Sequence, residues 1–261
     1  GADSILGGDG NDVFEFEDFA ELSSIVTLDG ETGQNTIRFS GAATGELADW
    51  EAVFANVSNI DSVALDYDFA PSKIVLGSNA QAAGVVSVSA GVGGNYLDAS
   101  NYTIDITISS GWGDDSLLGG SGDDFLDGGT GIDKIIGTTS VGIGIGEKDT
   151  LTGSGWDYFV LGDSTNVYYN SDTQVADVTD LDYAVITAFG SASNMQLKTL
   201  DAAHAGNGYV IGGALYGAIG TSNYYLYTDD DNSGAATAGD NLIAAIDSSI
   251  ALTTANLKSN Y

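Results

Sequence analysis

The sequence predicts an all-β fold, a parallel β-roll or β-solenoid followed by a β-rich C-terminal cap. Three observations predict it. One nine-residue unit is written three times without a gap in residues 110–137, as SGWGDDSLL, GGSGDDFLD and GGTGIDKII. Short apolar runs separated by small polar turns recur upstream of that array. Tyrosine-rich, strand-like runs follow it.

The unit reads G-G-x-G-x-D-x-U-x, where U is a large aliphatic residue. Its Asp falls at Asp115, Asp124 and Asp133, and U at Leu117, Leu126 and Ile135. The first six residues turn, and glycine suits a turn that needs positive φ and close backbone stacking. The last three extend, so U points inward and its neighbours outward. Two units make one coil of two short strands, and a coil buries its apolar face only against another coil. Asp115 and Asp133 are eighteen residues apart, so their turns stack on one side. The Asp124 turn faces the other side and needs partners from less regular sequence.

Stacked turns gather carboxylates that repel unless a cation lies between them. Calcium suits such a site, because it takes six to eight carboxylate and carbonyl oxygens in flexible geometry.

The elements follow in chain order. Residues 1–59 hold degenerate copies. Gly1 to Leu6 is the tail of one unit, and residues 7–15 (GGDGNDVFE) form a full one. Residues 30–38 (GETGQNTIR) carry Asn35 at the Asp position, which loses the charge and keeps an oxygen. The chain opens inside a repeat without an initiator Met, as a piece of a longer protein would. Residues 16–60 are less regular, and apolar spacing predicts a short helix within residues 49–57.

Residues 60–160 are expected to form the parallel solenoid. Strands are predicted at residues 63–65, 74–76, 85–88 and 102–108, before the regular array. Two units follow the array: residues 144–152 (GIGEKDTLT) with Asp149, and residues 153–160 (GSGWDYFV) with Asp157, one residue short. The GIGIG at residues 142–146 is not followed by the helix a dinucleotide site requires, so a loop is expected. In residues 161–261 strands are predicted at 182–189, 194–197, 209–211, 224–228 and 241–246. They are read as a cap sealing the open end.

The repeats resemble the RTX family (repeats in toxin), the calcium-binding β-roll of exported bacterial proteins. The irregular coils more loosely resemble lead-ins of bacterial surface-layer proteins. The RTX resemblance implies calcium ligands at turn positions two, four and six, the glycines acting through their carbonyls. Carried over, these are Gly111, Gly113 and Asp115; Gly120, Gly122 and Asp124; Gly129, Gly131 and Asp133. Gly8, Gly10 and Asp12 match in the N-terminal unit, and Asp149 and Asp157 in the late ones. The runs at residues 182–189, 195–198 and 242–246 resemble segments that follow such repeats, with Ala188 where relatives often carry Asp. The family also implies an uncleaved C-terminal signal read by a type I secretion machine. It implies calcium-triggered folding outside the cell.

A separate motif, residues 229–240, has the oxygen spacing of an EF-hand loop with Gly234 at its sixth position. Asp229, Asp231, Ser233 and Asp240 are its candidate ligands, with Asp rather than Glu at position twelve.

Acidic residues outnumber basic ones 37 to 6, a net charge of −31. That disfavours nucleic acid, whose affinity rests on Lys and Arg. Self-repulsion destabilises a compact metal-free state, which divalent ions would relieve. No cysteine is present, and no run reaches transmembrane length. The only histidine is His204, and neither HExxH nor GxSxG occurs, so no enzymatic role is expected. Trp112 and Trp156 occupy variable turn positions, where they could stack on sugars or pack between coils.

The expected function is therefore the calcium-binding region of a larger secreted or cell-surface protein, serving structure and export. The alternatives are an adhesion module for glycans or cells, or the tail of a secreted hydrolase. Self-assembly or a surface polysaccharide are the further partners considered.

Overall fold

Apolar side chains spaced for alternation form short strands, and these strands stack in parallel. The computed structural model describes residues 3–40, 50–65, 73–138, 147–162, 168–169, 183–189, 193–197, 209–212, 222–228, 242–248, 250–252 and 257–259. The N-terminal elements are β1 (Asp3–Leu6), β2 (Val13–Phe16), α1 (Phe19–Ser23), β3 (Ile25–Asp29), β4 (Thr36–Phe39), α2 (Trp50–Phe54) and β5 (Val57–Ser58). Next come β6 (Ser62–Leu65), β7 (Lys73–Val75), α3 (Ser78–Ala83), β8 (Ser87–Ser89), β9 (Tyr96–Asp98) and β10 (Thr107–Ser109). The array and the units after it give β11 (Ser116–Leu118), β12 (Phe125–Gly131), β13 (Lys134–Ile136), β14 (Thr150–Gly155) and β15 (Tyr158–Val160). The last are β16 (Ala184–Phe189), β17 (Asn194–Leu197), β18 (Tyr209–Gly212), β19 (Tyr224–Thr228), β20 (Leu242–Ser248) and β21 (Leu257–Ser259).

Alternate strands enter different sheets. One sheet runs β2-β4-β6-β8-β10-β12-β14-β16-β20-β19-β18. Another runs β7-β9-β11-β13-β15-β17-β21, and a three-stranded sheet β1-β3-β5 lies at the N-terminal end. Among the described residues every strand pairing is parallel except β19 with β20 and β18 with β19, which are antiparallel. The fold is thus strand-rich and mostly parallel. Parallel pairing crosses residue 60, where β4 meets β6, and residue 160, where β14 meets β16 and β15 meets β17. It continues as far as β20 and β21.

Register places one apolar residue over the next. In the larger sheet Ile37, Val63, Val88, Ile108, Leu126, Leu151, Ile186 and Ile246 occupy successive paired positions. In the second sheet Ile74, Leu97, Leu117, Ile135 and Phe159 do the same. All of these are buried in one shared core. The U positions Leu117, Leu126 and Ile135 are fully buried, which is the seam the repeat predicts. Burying such a side chain contributes about 1.5–3 kcal/mol, and the benefit repeats at each coil.

The eighteen-residue step holds only in the array, where Thr107 pairs with Phe125 and Ser116 with Lys134. Elsewhere the insert between strands varies while the register of core residues is kept. Some inserts are helical. The Trp50 indole N–H donates to the Lys73 carbonyl at 3.0 Å, and Glu51 Oε2 accepts the Asn79 N–H at 2.9 Å. These bonds tie α2 to β7 and to the first turn of α3.

Some expectations need correction. Of the strand expected at residues 102–108, only Thr107 and Ile108 are extended, in a strand that runs on to Ser109. Tyr102 closes a turn by donating its N–H to the Ala99 carbonyl at 2.8 Å, with its ring buried, so it read as strand-like only because it is apolar. The strand expected at 85–88 begins at Ser87. The helix expected within 49–57 is Trp50–Phe54, and α1 and α3 were not foreseen. The GIGIG run, His204 and residues 229–240 lie outside the described residues.

Close stacking sets the demand for glycine at the turns. Gly129 has φ of +71°, and a Cβ there would collide with the Gly111 carbonyl of the preceding coil. Replacing Gly129 by Ala is expected to lower stability by about 1–3 kcal/mol, because neither the backbone nor the carbonyl can move aside. The exposed neighbour Thr130, changed to Ala, should cost no more than about 0.5 kcal/mol. Urea unfolding of the two variants under one set of conditions checks the contrast.

Candidate metal centre

The repeat brings the motif aspartates into two rows, one on each side of the coil. Their spacing follows from register. Each turn ends where a strand begins, so parallel pairing of the strands stacks the motif residues too. The first row is Asn95, Asp115, Asp133 and Asp157. Asp115 Oδ1 accepts the Asn95 N–H at 2.6 Å, and Asp133 Oδ1 the Asp115 N–H at 2.9 Å. Asp157 Oδ1 accepts the Asp133 N–H at 3.2 Å. Every carboxylate reaches back one coil and satisfies a backbone donor.

The second row is Ile106, Asp124 and Asp149. Asp124 accepts the Ile106 N–H at 2.9 Å and the Gly120 N–H at 2.8 Å. Asp149 Oδ1 accepts the Asp124 N–H at 2.8 Å, and Oδ2 accepts the Tyr169 hydroxyl. A third, shorter row stands at the N-terminal end. There Asn35 Oδ1 accepts the Asp12 N–H at 3.0 Å, and Asp61 Oδ2 the Asn35 N–H at 2.7 Å.

The stacking of Asp115 with Asp133 is the contact expected from their spacing, and Asp124 does take partners from irregular sequence. Asn95, Asp61 and Tyr169 were not foreseen, since their steps along the chain follow no fixed period. A further ladder was also missed. The residue before the motif Asp reaches forward, so that Asp114 Oδ1 accepts the Ile132 N–H and Asp105 Oδ1 the Asp123 N–H, both at 2.9 Å. Asp123 Oδ1 in turn accepts the Lys148 N–H, and Asn11 Oδ1 the Gln34 N–H. The signal was present as the doubled Asn11-Asp12, Asp114-Asp115 and Asp123-Asp124.

Burial makes these rows electrostatically costly. Asp115, Asp124, Asp133, Asp149 and Asp157 are all buried. Asp124 is pushed up to about 8, first by burial and then by the Asp149 carboxylate. Asp149 rises to about 6, burial outweighing the hydrogen bonds from Tyr169 and Asp124. Asp133 is raised by burial and by the charges of Asp157 and Asp115. Burial also raises Asp115 and Asp157.

Among the motif aspartates of the described residues, four buried oxygens accept no hydrogen bond: Asp12 Oδ2, Asp115 Oδ2, Asp133 Oδ2 and Asp157 Oδ2. A buried ionised oxygen without a partner costs more than a neutral one, so something is expected to meet it. The glycine that opens the turn makes room beside it. A Cβ on Gly128 would lie 2.7 Å from Asp133 Oδ2, one on Gly153 2.8 Å from Asp157 Oδ2, and one on Gly7 2.5 Å from Asp12 Oδ2. At the same position before Asp115 stands Ser110, whose hydroxyl donates to the Gly128 carbonyl at 2.9 Å and also acts to lower the Asp115 carboxyl against the effect of burial.

Among the described residues no three Asp, Glu, His or Cys side chains converge as a metal-binding group. A cation here must draw on backbone carbonyls as well, the role expected of the turn glycines. Gly8, Gly10, Gly111, Gly113, Gly122, Gly129 and Gly131 adopt positive φ at these turns, while Gly120 does not. Hard oxygen donors together with orphaned carboxylate oxygens fit calcium rather than a metal that prefers nitrogen or sulfur. No family model, curated protein or solved structure matches the chain.

The raised carboxylates fix a sign. At these carboxylates the folded chain keeps protons that the unfolded chain releases near pH 4, so their contribution to metal-free stability is greatest in acid and falls as pH rises toward about 8. Each such carboxylate contributes a slope of at most about 1.4 kcal/mol per pH unit. Urea midpoints in EDTA are expected to be higher at pH 5.5 than at pH 8. A midpoint that rises over this interval would contradict the account.

Proposed function

We propose that this chain is a calcium-binding β-roll of the RTX type, part of an exported bacterial surface protein, which folds on calcium outside the cell. The observation that carries the reading is the row of buried carboxylates whose Oδ2 atoms lack partners, at Asp115, Asp133 and Asp157. Calcium would be held by these oxygens and by carbonyls of the turn glycines. When bound it supplies positive charge where the coils bring carboxylates together. The chain's own residues do the rest: aspartate Oδ1 atoms pin adjacent coils through backbone N–H groups, and the U residues bury the seam.

The net charge of −31 supports the same reading. Free calcium is scarce inside cells and plentiful outside, so such a chain would stay loose before export and fold after it. Type I secretion is part of this proposal, as is a structural role without catalysis. Among the described residues, no helix is long and apolar enough to cross a membrane.

The test is far-UV circular dichroism after EDTA treatment, followed by calcium titration at pH 7.5. Ordered β structure is expected to grow with calcium. The thermal midpoint should rise further with each increment, as linkage to a native-state ligand requires. Magnesium should act weakly, because it demands a stricter octahedral site. A metal-free chain with the same spectrum and the same midpoint would refute the proposal.

A second reading rests on the exposed indoles. Trp112 is 59 % exposed and Trp156 66 %, and both belong to turns of the first row. Side chains this apolar and open suit stacking on sugars, so an adhesion role is the alternative. It requires glycan binding that is lost when both are changed to Ala; binding that persists would exclude it.

A further inference from the structure

The two rows of aspartates share a motif and differ in chemistry. In the first, each carboxylate spends one oxygen on the preceding coil and leaves the other buried and unpartnered. In the second, both oxygens of each motif aspartate already accept a hydrogen bond. Asp124 accepts from Ile106 and Gly120, and Asp149 accepts from Asp124 and Tyr169.

Tyr169 is what closes that row. Its ring is fully buried, and its backbone is held at φ of +55°, a conformation rare for a residue with a side chain. The hydroxyl reaches Asp149 Oδ2 beside Gly137, where a Cβ would collide with both groups. A cation arriving at Asp149 would have to compete with this buried hydroxyl for Oδ2. One arriving at Asp124 would have to take oxygens already bonded to two amides. In the first row nothing has to be displaced from Asp133 Oδ2 or Asp157 Oδ2.

We infer that calcium loads the Asp115, Asp133 and Asp157 row, and that the Asp124 and Asp149 row is a metal-free seam sealed by Tyr169. The inference rests on the calcium reading above and narrows it: of the motif aspartates on the two sides of the array, only one side serves the ion. On the second side the aspartates join adjacent coils through hydrogen bonds and take up no ion.

The experiment counts bound calcium by atomic emission after equilibrium dialysis of the full chain, with calorimetry for affinity. Four proteins are compared: the unaltered chain, Asp133→Asn, Asp124→Asn and Tyr169→Phe. Asp133→Asn is expected to lose at least one ion or at least tenfold in affinity. Asp124→Asn is expected to keep the full count, with affinity within about twofold. Should Asp124→Asn fail to fold, Tyr169→Phe decides. It is expected to keep every ion, with affinity within about twofold, and to lower the thermal midpoint of the calcium-loaded chain. Loss of an ion from Asp124→Asn or Tyr169→Phe, while the unaltered chain binds calcium, overturns the inference and leaves the calcium reading standing. An unaltered chain that binds no calcium overturns both.

Discussion

Stacking parallel coils at strand spacing forces like-charged groups together, and the rest of the molecule is arranged around that constraint. Strands in one sheet lie about 4.8 Å apart. A motif Asp repeated once per coil therefore finds its neighbour at nearly that distance. At this separation two carboxylates repel by about 3 kcal/mol if the effective dielectric constant is about 20. Backbone N–H groups absorb one oxygen of each Asp, which explains why Asp115, Asp133 and Asp157 all bond the coil before them. The other oxygen needs a proton, a donor or a cation. The fold uses a donor at Asp149, in Tyr169, and leaves the first row open.

The same constraint links the core to the site. The apolar seam through Leu117 and Ile135 keeps strands in register, and register alone decides that Asp133 meets the Asp115 amide rather than its neighbour. A slip of one residue would turn the seam outward and move every carboxylate off its amide. Turn glycines serve both ends of this arrangement. Gly129 lets one turn rest on another, and Gly128 leaves space for the Asp133 carboxylate. Two consecutive glycines in the motif thus answer two separate steric demands.

How much of this was legible in the sequence depended on spacing. The array could be read because its coils are eighteen residues long, so Asp115 and Asp133 announce their contact. The partners of the flanking coils could not. Asn95 stands twenty residues before Asp115, Asp157 twenty-four after Asp133, and Asp149 twenty-five after Asp124. Inserts at the coil corners absorb these differences while the strands stay in register, so no fixed period detects them. Helices α1 and α3 span five and six residues, too few turns to declare a helical period. Tyr169 lay beyond pattern reasoning altogether, because nothing local marks a tyrosine as the donor to a carboxylate twenty residues earlier. Chemistry was easier to read than partnership: the sequence shows which residues carry oxygen, and only the stacking shows which oxygens remain unpaired.

If calcium occupies the buried carboxylate row it replaces protons there, and the exchange of one for the other can be counted. Calorimetric titration of the metal-free chain with calcium at pH 6.5, repeated in buffers of different ionisation enthalpy, yields the number of protons released per ion bound. With Asp133 raised by burial and by the neighbouring carboxylates, calcium binding is expected to expel protons at pH 6.5 and few or none at pH 9. Calcium binding with no proton release at pH 6.5 would show that the row is already ionised without metal, and the account would be wrong.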